Sequence, residues 1–180
     1  MRASTLRLVR ESAMPTVVMV LALAAVAIAF VEDRWLSLAL LGAAPAAAAA
    51  AVIDARYKRI PTPLVRATAA VGVVVFTVAA VATGEVSSVG RSLLASVVVG
   101  AGYLLLWRFA GLGLGDVRLA AALGLFAGWS GWPAVLAFVV LAHVAVLPLA
   151  LWQLARRLRG DLPFAPSLVV GLYTAIALVG

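Results

Sequence analysis

The sequence predicts an all-α protein that crosses a membrane repeatedly, as a polytopic bundle of about seven transmembrane helices. Hydrophobic residues make up 66% of its 180 residues, charged residues make up 12%, and the mean hydropathy is +1.16. Soluble domains average about 45–50% apolar and about 25% charged residues. A soluble fold of this size cannot bury so much apolar surface, because a large part of any folded surface faces water.

Uncharged runs between consecutive charged residues define the spans in chain order, since a helix needs roughly 17–25 mostly apolar residues to cross the hydrocarbon core. The runs extend from Glu11 to Glu32 (20 residues), Arg34 to Asp54 (19), Arg66 to Glu85 (18), Arg91 to Arg108 (16), Arg118 to Arg156 (37) and Asp161 to the C-terminus (19). The run of 37 holds two spans, with a break at residues 129–133 (Trp-Ser-Gly-Trp-Pro), where the proline favours a new helix. We expect the first span to be retained, because its apolar run exceeds the usual signal-peptide core of about 7–15 residues.

The charge distribution predicts the orientation. Lys and Arg total 14 against 7 Asp and Glu, a net charge of +7. With a cytoplasmic N-terminus, all but Arg34 and Arg91 lie on the cytoplasmic side, as the positive-inside rule requires. These residues are Arg2, Arg7, Arg10, Arg56, Lys58, Arg59, Arg66, Arg108, Arg118, Arg156, Arg157 and Arg159. We therefore expect a multi-pass protein of the cytoplasmic (inner) membrane, with anionic lipid rather than nucleic acid as the partner of its basic residues.

Few side chains offer metal or thiol chemistry. The absence of cysteine excludes disulfides and thiolate sites, and a single histidine, His143, excludes a multi-histidine metal centre. We expect no metal and no other cofactor. His143 lies in the middle of the sixth span, where a packed or hydrogen-bonded role is favoured over a proton relay. Five tryptophans near predicted span ends indicate an aromatic belt at the interface: Trp35, Trp107, Trp129, Trp132 and Trp152.

Two carboxylates are predicted at the cytoplasmic boundary of the membrane. Asp54 closes the second span and Asp116 opens the fifth, so both lie on the same side and at similar depth. A charge costs about 2.5–3.5 kcal/mol at the centre of a span and less near its end, so each carboxylate needs a reason to be there. Two simpler roles stay open: Asp116 as the N-cap of its helix, and Asp54 in an ion pair with a basic residue at 56, 58 or 59.

Glycines occupy alternate positions just before Asp116, in the run Gly111-Leu112-Gly113-Leu114-Gly115. Glycine permits unusual backbone conformations and the close approach of another chain. The pattern differs from the dinucleotide-binding fingerprint, because no strand precedes it and the spacing is different. It predicts a loop, including Gly113 and Gly115, that supports a site and admits an extended peptide beside the carboxylate.

Three segments resemble the signatures of the type IV prepilin peptidases, a family of GxGD membrane aspartic peptidases that includes the archaeal preflagellin peptidases. Residues 113–124, with Gly128 and Trp129, are similar to the GxGD segment. Residues 54–61 (Asp-Ala-Arg-Tyr-Lys-Arg-Ile-Pro) resemble the other aspartate signature, and residues 162–166 (Leu-Pro-Phe-Ala-Pro) resemble the Pro-Phe-Gly-Pro segment that opens the last span. The resemblance extends from about Leu36 onward. It implies a single membrane domain, 1–180, with an extra span at 1–34 and a prepilin-peptidase-like core at 35–180.

The sequence departs from the family pattern at three positions. Thr62 stands where Asn or Asp is usual, Arg118 where Lys is common, and Ala165 where Gly is usual. None of these changes involves the two aspartates. The bifunctional bacterial enzymes carry an N-terminal region with paired cysteines, whereas this chain has no cysteine and only one predicted span before the first signature. The resemblance therefore implies a peptidase without N-methyltransferase activity.

The resemblance implies that Asp54 and Asp116 are catalytic and that the substrate is a pilin-like precursor of a type IV pilus or secretion system. Two adjacent carboxyls cannot both ionise cheaply, so the pair holds one proton: one carboxylate activates water while the acid polarises the scissile carbonyl. Which aspartate carries the proton stays open, as do the precursor and the oligomeric state. Two alternatives stay open: a non-catalytic assembly factor with the same fold, and a small proton-coupled transporter, whose carboxylates would lie nearer the middle of the bilayer.

Overall fold

The computed structural model describes residue 8, residues 10–157 and residues 162–179. Arg2, Arg7, Arg159 and Asp161, which contribute to the predicted orientation and to the start of the last span, lie outside these residues. Seven α-helices have both ends within the described residues, which contain no strand, so the predicted all-α bundle is confirmed. The helices are α1 Ala13–Phe30, α2 Arg34–Tyr57, α3 Thr62–Thr83, α4 Val86–Ala110, α5 Leu114–Ser130, α6 Trp132–Ala155 and α7 Ala165–Val179.

Five of the seven helices, α1 to α4 and α6, are long and apolar enough to cross a membrane. Helix α5 has 17 residues and α7 has 15. At about 1.5 Å per residue they rise only about 26 Å and 22 Å, less than the roughly 30 Å hydrocarbon core. These two spans are therefore shorter than the sequence predicts.

The two short helices lie in the middle of the bundle, against each other and against α2. Helix α5 buries 12 of its 17 residues, whereas the peripheral α1 buries only two of its 18. The alanine-rich stretch of α2, residues 43–51, is largely buried, because alanine side chains let neighbouring helices approach closely. The functional segments at the ends of α2, α5 and α7 are thus held by the best-packed part of the fold.

Helices α4 and α5 are antiparallel and meet along a seam of small residues. A Cβ added to Gly128 would lie 2.5 Å from the Ala95 Cβ, and one added to Gly100 would lie 3.0 Å from the Ala121 Cβ. Between these two crossings, the Ser96 hydroxyl donates to the Ala121 carbonyl at 2.7 Å. The pairing fixes the register: residues near 95 on α4 face residues near 128 on α5, and residues near 100 face residues near 121.

The break predicted in the longest uncharged run is confirmed. Helix α5 ends at Ser130, α6 begins at Trp132, and Gly131 between them takes a φ of 125° that favours glycine.

The interfacial position predicted for Trp129 is wrong. Its ring is buried and stacks on Phe76 at a centroid distance of 4.5 Å, and its Nε1 donates to the Asp33 carboxylate at 2.8 Å.

Candidate active site

Asp54 lies in the last turn of α2, where it is only 6% exposed. Its Oδ2 accepts a hydrogen bond from the backbone N–H of Ala165, the first residue of α7, at 3.1 Å. A carboxylate is favoured at this position because a helix N-terminus presents unpaired N–H groups and the positive end of the helix dipole. Of the basic residues considered as ion-pair partners, Lys58 acts on this carboxylate electrostatically, while Arg56 donates to the backbone carbonyl of Glu11 at 3.0 Å.

Asp116 lies in the first turn of α5 and is 8% exposed. The N-cap of the helix is Gly113, so the alternative that Asp116 itself is the N-cap is wrong. Its carboxyl reaches back to the Gly113 backbone, as an acid at the third helical position commonly does. Its other oxygen, Oδ1, is buried and has no hydrogen-bond partner in the described part of the chain.

Two glycines make room for this arrangement. The prediction that both lie in a loop is wrong for Gly115, which belongs to the first turn of α5, whereas Gly113 is the N-cap. A Cβ at Gly113 would lie 2.8 Å from Asp116 Oδ2, and one at Gly115 would lie 3.0 Å from the Ile60 Cβ. The backbone of Gly113 has an ordinary φ of −73°, so here glycine is needed for space rather than for conformation. The contact at Gly115 brings the loop that follows Asp54 against the turn that carries Asp116.

The fold brings the two aspartates together, although 62 residues separate them in the sequence. Both are buried at the end of the bundle where α2 finishes and α5 starts, and the charge of Asp54 acts on the carboxyl of Asp116. Like charges in a site of low dielectric repel strongly, so ionising both members of such a pair is costly. One proton between two carboxyls provides a base and an acid in the same place.

An aromatic cluster adjoins the pair and includes Tyr103, which no sequence motif indicated. The ring of Tyr103, on α4, lies 6.0 Å from that of Phe164 and 5.7 Å from that of His143, measured between centroids. Phe164 directly precedes Ala165, which binds Asp54. The Nδ1 of His143 lies 2.7 Å from the Val139 carbonyl oxygen, which confirms the packed and hydrogen-bonded role predicted for this histidine.

The described residues contain no group of three or more His, Asp or Glu side chains arranged to hold a metal ion. The side chains described at the site are two carboxyls, of Asp54 and Asp116, and the phenol of Tyr103.

The chain is therefore a polytopic helical bundle that holds two buried, interacting carboxyls at one end. Residues 41–151, more than half of the chain, match the type IV leader peptidase family, and the chain belongs to that family. This match confirms the family that the sequence motifs indicated.

Two curated relatives are each described as a prepilin leader peptidase/N-methyltransferase, and both come from Burkholderia pseudomallei, strains 1026b and K96243. Each is 38% identical over 90 residues, which cover 43% of this chain and 29% of the relative. The matched region thus spans less than a third of the length of these relatives. No solved structure matches the chain.

Proposed function

We propose that this protein is an aspartic endopeptidase that removes the leader of type IV pilin-like precursors at the cytoplasmic boundary of the membrane. Asp54 and Asp116 are its catalytic pair, and residues 35–180 form its peptidase core. The observation that supports the proposal is the convergence of two buried carboxyls from distant segments, in a chain of the leader peptidase family.

The reaction uses one proton shared by the pair. The ionised aspartate takes a proton from water as the water oxygen bonds to the carbonyl carbon of the scissile peptide. The protonated aspartate hydrogen-bonds to the carbonyl oxygen, and negative charge develops there. The C–N bond then breaks, and the leaving nitrogen takes a proton from the pair. The chain would not transfer a methyl group as well, because its sequence lacks the paired cysteines of the bifunctional enzymes.

A pilin-like precursor has a short basic leader followed by an apolar helix, and this shape suits the site. An apolar helix can lie in the bilayer against the outer helices, where packing and polar contacts between helices supply affinity. The junction between the leader and the apolar helix of the precursor then lies at the membrane boundary. The positions of Asp54 and Asp116 at helix ends favour this substrate over the transporter alternative, which calls for carboxylates near the middle of the bilayer.

The test is co-expression with a candidate precursor, with leader removal followed by gel mobility and mass spectrometry. Asp54→Asn and Asp116→Asn should each leave the precursor uncut, because an amide neither takes up nor releases the proton. Asp33→Asn is the matched control. At the opposite end of α2, Asp33 Oδ1 accepts from the backbone N–H groups of Trp35 and Leu36, and the amide oxygen of asparagine can keep these two bonds. The bond from Trp129 to Oδ2 is lost, so the control also carries the cost of one broken hydrogen bond away from the proposed site.

Normal processing by either the Asp54 or the Asp116 variant would disprove the catalytic pair. If the unaltered protein cuts none of the pilin-like precursors encoded beside its gene, the assembly-factor alternative is favoured instead.

A further inference from the structure

Tyr103 carries a buried hydroxyl that the fold does not use. The residue is 2% exposed, and its Oη has no hydrogen-bond partner among the described residues. Burying a polar group without a partner lowers the stability of a protein, and phenylalanine would fill the same space without that cost. Tyr173 shows the usual arrangement, because its buried hydroxyl donates to the Leu40 carbonyl at 2.8 Å.

The α4–α5 seam directs Tyr103 toward the catalytic pair. Gly100 faces Ala121, so the antiparallel register sets the next turn of α4, with Tyr103, opposite the first turn of α5, with Asp116. The charge of Asp116 acts on the phenol, in agreement with this register. On its other side the Tyr103 ring contacts Phe164, the neighbour of the residue that binds Asp54. Tyr103 therefore lies between the two segments that hold the carboxyls.

Two buried oxygens at this site complement each other. The Tyr103 Oη is a donor without an acceptor, and Asp116 Oδ1 is an acceptor without a donor. A peptide bond undergoing hydrolysis offers both missing groups, because its carbonyl oxygen accepts and the attacking water donates. We propose, on the basis of the function proposed above, that the Tyr103 hydroxyl donates a hydrogen bond to the carbonyl oxygen of the scissile peptide.

This hydrogen bond strengthens during the reaction. As the water oxygen bonds to the carbonyl carbon, the electron pair of the C=O double bond moves onto the carbonyl oxygen, and the phenol stabilises the resulting negative charge while it keeps its own proton. The pair of aspartates handles the protons of water and of the leaving amine, so the tyrosine adds no proton-transfer step. A fixed donor in a buried site is effective because it needs no reorganisation when the charge develops.

A purely structural role for Tyr103 makes a different prediction. Its ring packs against His143 and Phe164, and a phenylalanine ring of the same shape would keep these contacts. If packing were its whole role, Tyr103→Phe would retain full activity. If the hydroxyl binds the carbonyl oxygen, the same variant loses activity without losing stability.

The experiment compares Tyr103→Phe with Tyr173→Phe in purified, lipid-reconstituted enzyme and a precursor substrate. We expect kcat to fall about 100-fold for Tyr103→Phe, with KM changed less than threefold and the thermal unfolding midpoint equal to the parent's or higher. Tyr173→Phe should show the reverse, a lower unfolding midpoint and the parent's kcat. Fluorotyrosine at position 103 keeps the ring and alters the acidity of the phenol, so kcat should change with that acidity, whereas fluorotyrosine at position 173 should leave kcat unchanged.

The outcomes separate this inference from the proposed function. If Asp54→Asn and Asp116→Asn still cleave, the proposed function fails, and this inference fails with it. If both are inactive while Tyr103→Phe keeps the parent's kcat, only the inference is overturned. Should Tyr103→Phe fail to fold, the fluorotyrosine series decides, because a kcat independent of phenol acidity overturns the inference.

Discussion

Replacing Gly128 by alanine tests whether close contact of α4 and α5 holds the bundle together. The added Cβ would lie 2.5 Å from the Ala95 Cβ, 2.8 Å from the Ser92 Cα and 3.1 Å from the Arg91 carbonyl oxygen. Carbon atoms pack at about 3.5–4.0 Å, so the helices would have to separate by about 1 Å. Overpacking of this kind costs typically about 1–3 kcal/mol.

Gly102→Ala is the matched control, because a Cβ at Gly102 on α4 meets nothing within 4 Å. Both substitutions gain the helix preference of alanine over glycine, about 1 kcal/mol, so their difference in free energy of unfolding isolates the packing cost. We expect Gly128→Ala to be the less stable of the two by about 1–3 kcal/mol.

Reversible unfolding in mixed micelles, followed by far-ultraviolet circular dichroism, measures both values. Equal stability of the two alanine variants would refute the reasoning, because the seam would then tolerate a methyl group at its tightest crossing.

Two further predictions concern the site and its orientation. Gly115→Ala should lower the rate of precursor processing by roughly tenfold, because the new Cβ displaces Ile60 and with it the loop after Asp54. Gly102→Ala should process the precursor normally in the same assay. Equal processing rates of the two variants would contradict the prediction. The chain has no native cysteine, so single substitutions at the exposed Arg59 and Glu85 report the orientation directly. In intact cells an impermeant maleimide should label Glu85→Cys and not Arg59→Cys, and the opposite pattern would reverse the predicted topology.

The sequence predicts the helices well because hydrocarbon imposes a simple rule on length and charge. It predicts their ends less well, since Arg91 and Arg108 lie inside α4 rather than at its limits. Long basic side chains can extend along a helix to reach polar surroundings, so a helix continues past them. At the Gly128 end of the seam, Arg91 donates to the carbonyl oxygens of Gly128 and Trp129 at 2.8 and 2.7 Å. The spacing of residues in the sequence could not have indicated this contact.

The site was predictable only in part. Counting spans is sufficient to predict that Asp54 and Asp116 lie on the same side of the membrane, but it does not show which helices are neighbours. The hydrogen bond from Ala165 to Asp54 depends on the position of α7 beside α2. One feature of the sequence points to Tyr103, which is the large polar residue at the end of a stripe of small residues on α4. This feature can be interpreted only once the contact between α4 and α5 is known. The prediction for Trp129 failed because an indole is favourable both at the membrane interface and in a buried aromatic stack.

The shortness of α5 and α7 bears on how a reactant reaches the carboxyls. The loops at the ends of these helices can lie at membrane depth only where protein or water surrounds them, because lipid would leave their backbone groups without hydrogen bonds. The shortfall of about 4–8 Å against the thickness of the lipid core therefore places loop backbone below the membrane surface, in contact with protein or solvent, unless the bilayer thins locally. Hydrolysis consumes water, which the hydrocarbon core of the bilayer excludes. For the hydrolysis proposed above, two central helices too short to cross unaided offer water a route to the carboxyls from the membrane boundary, and no pore through the protein is needed.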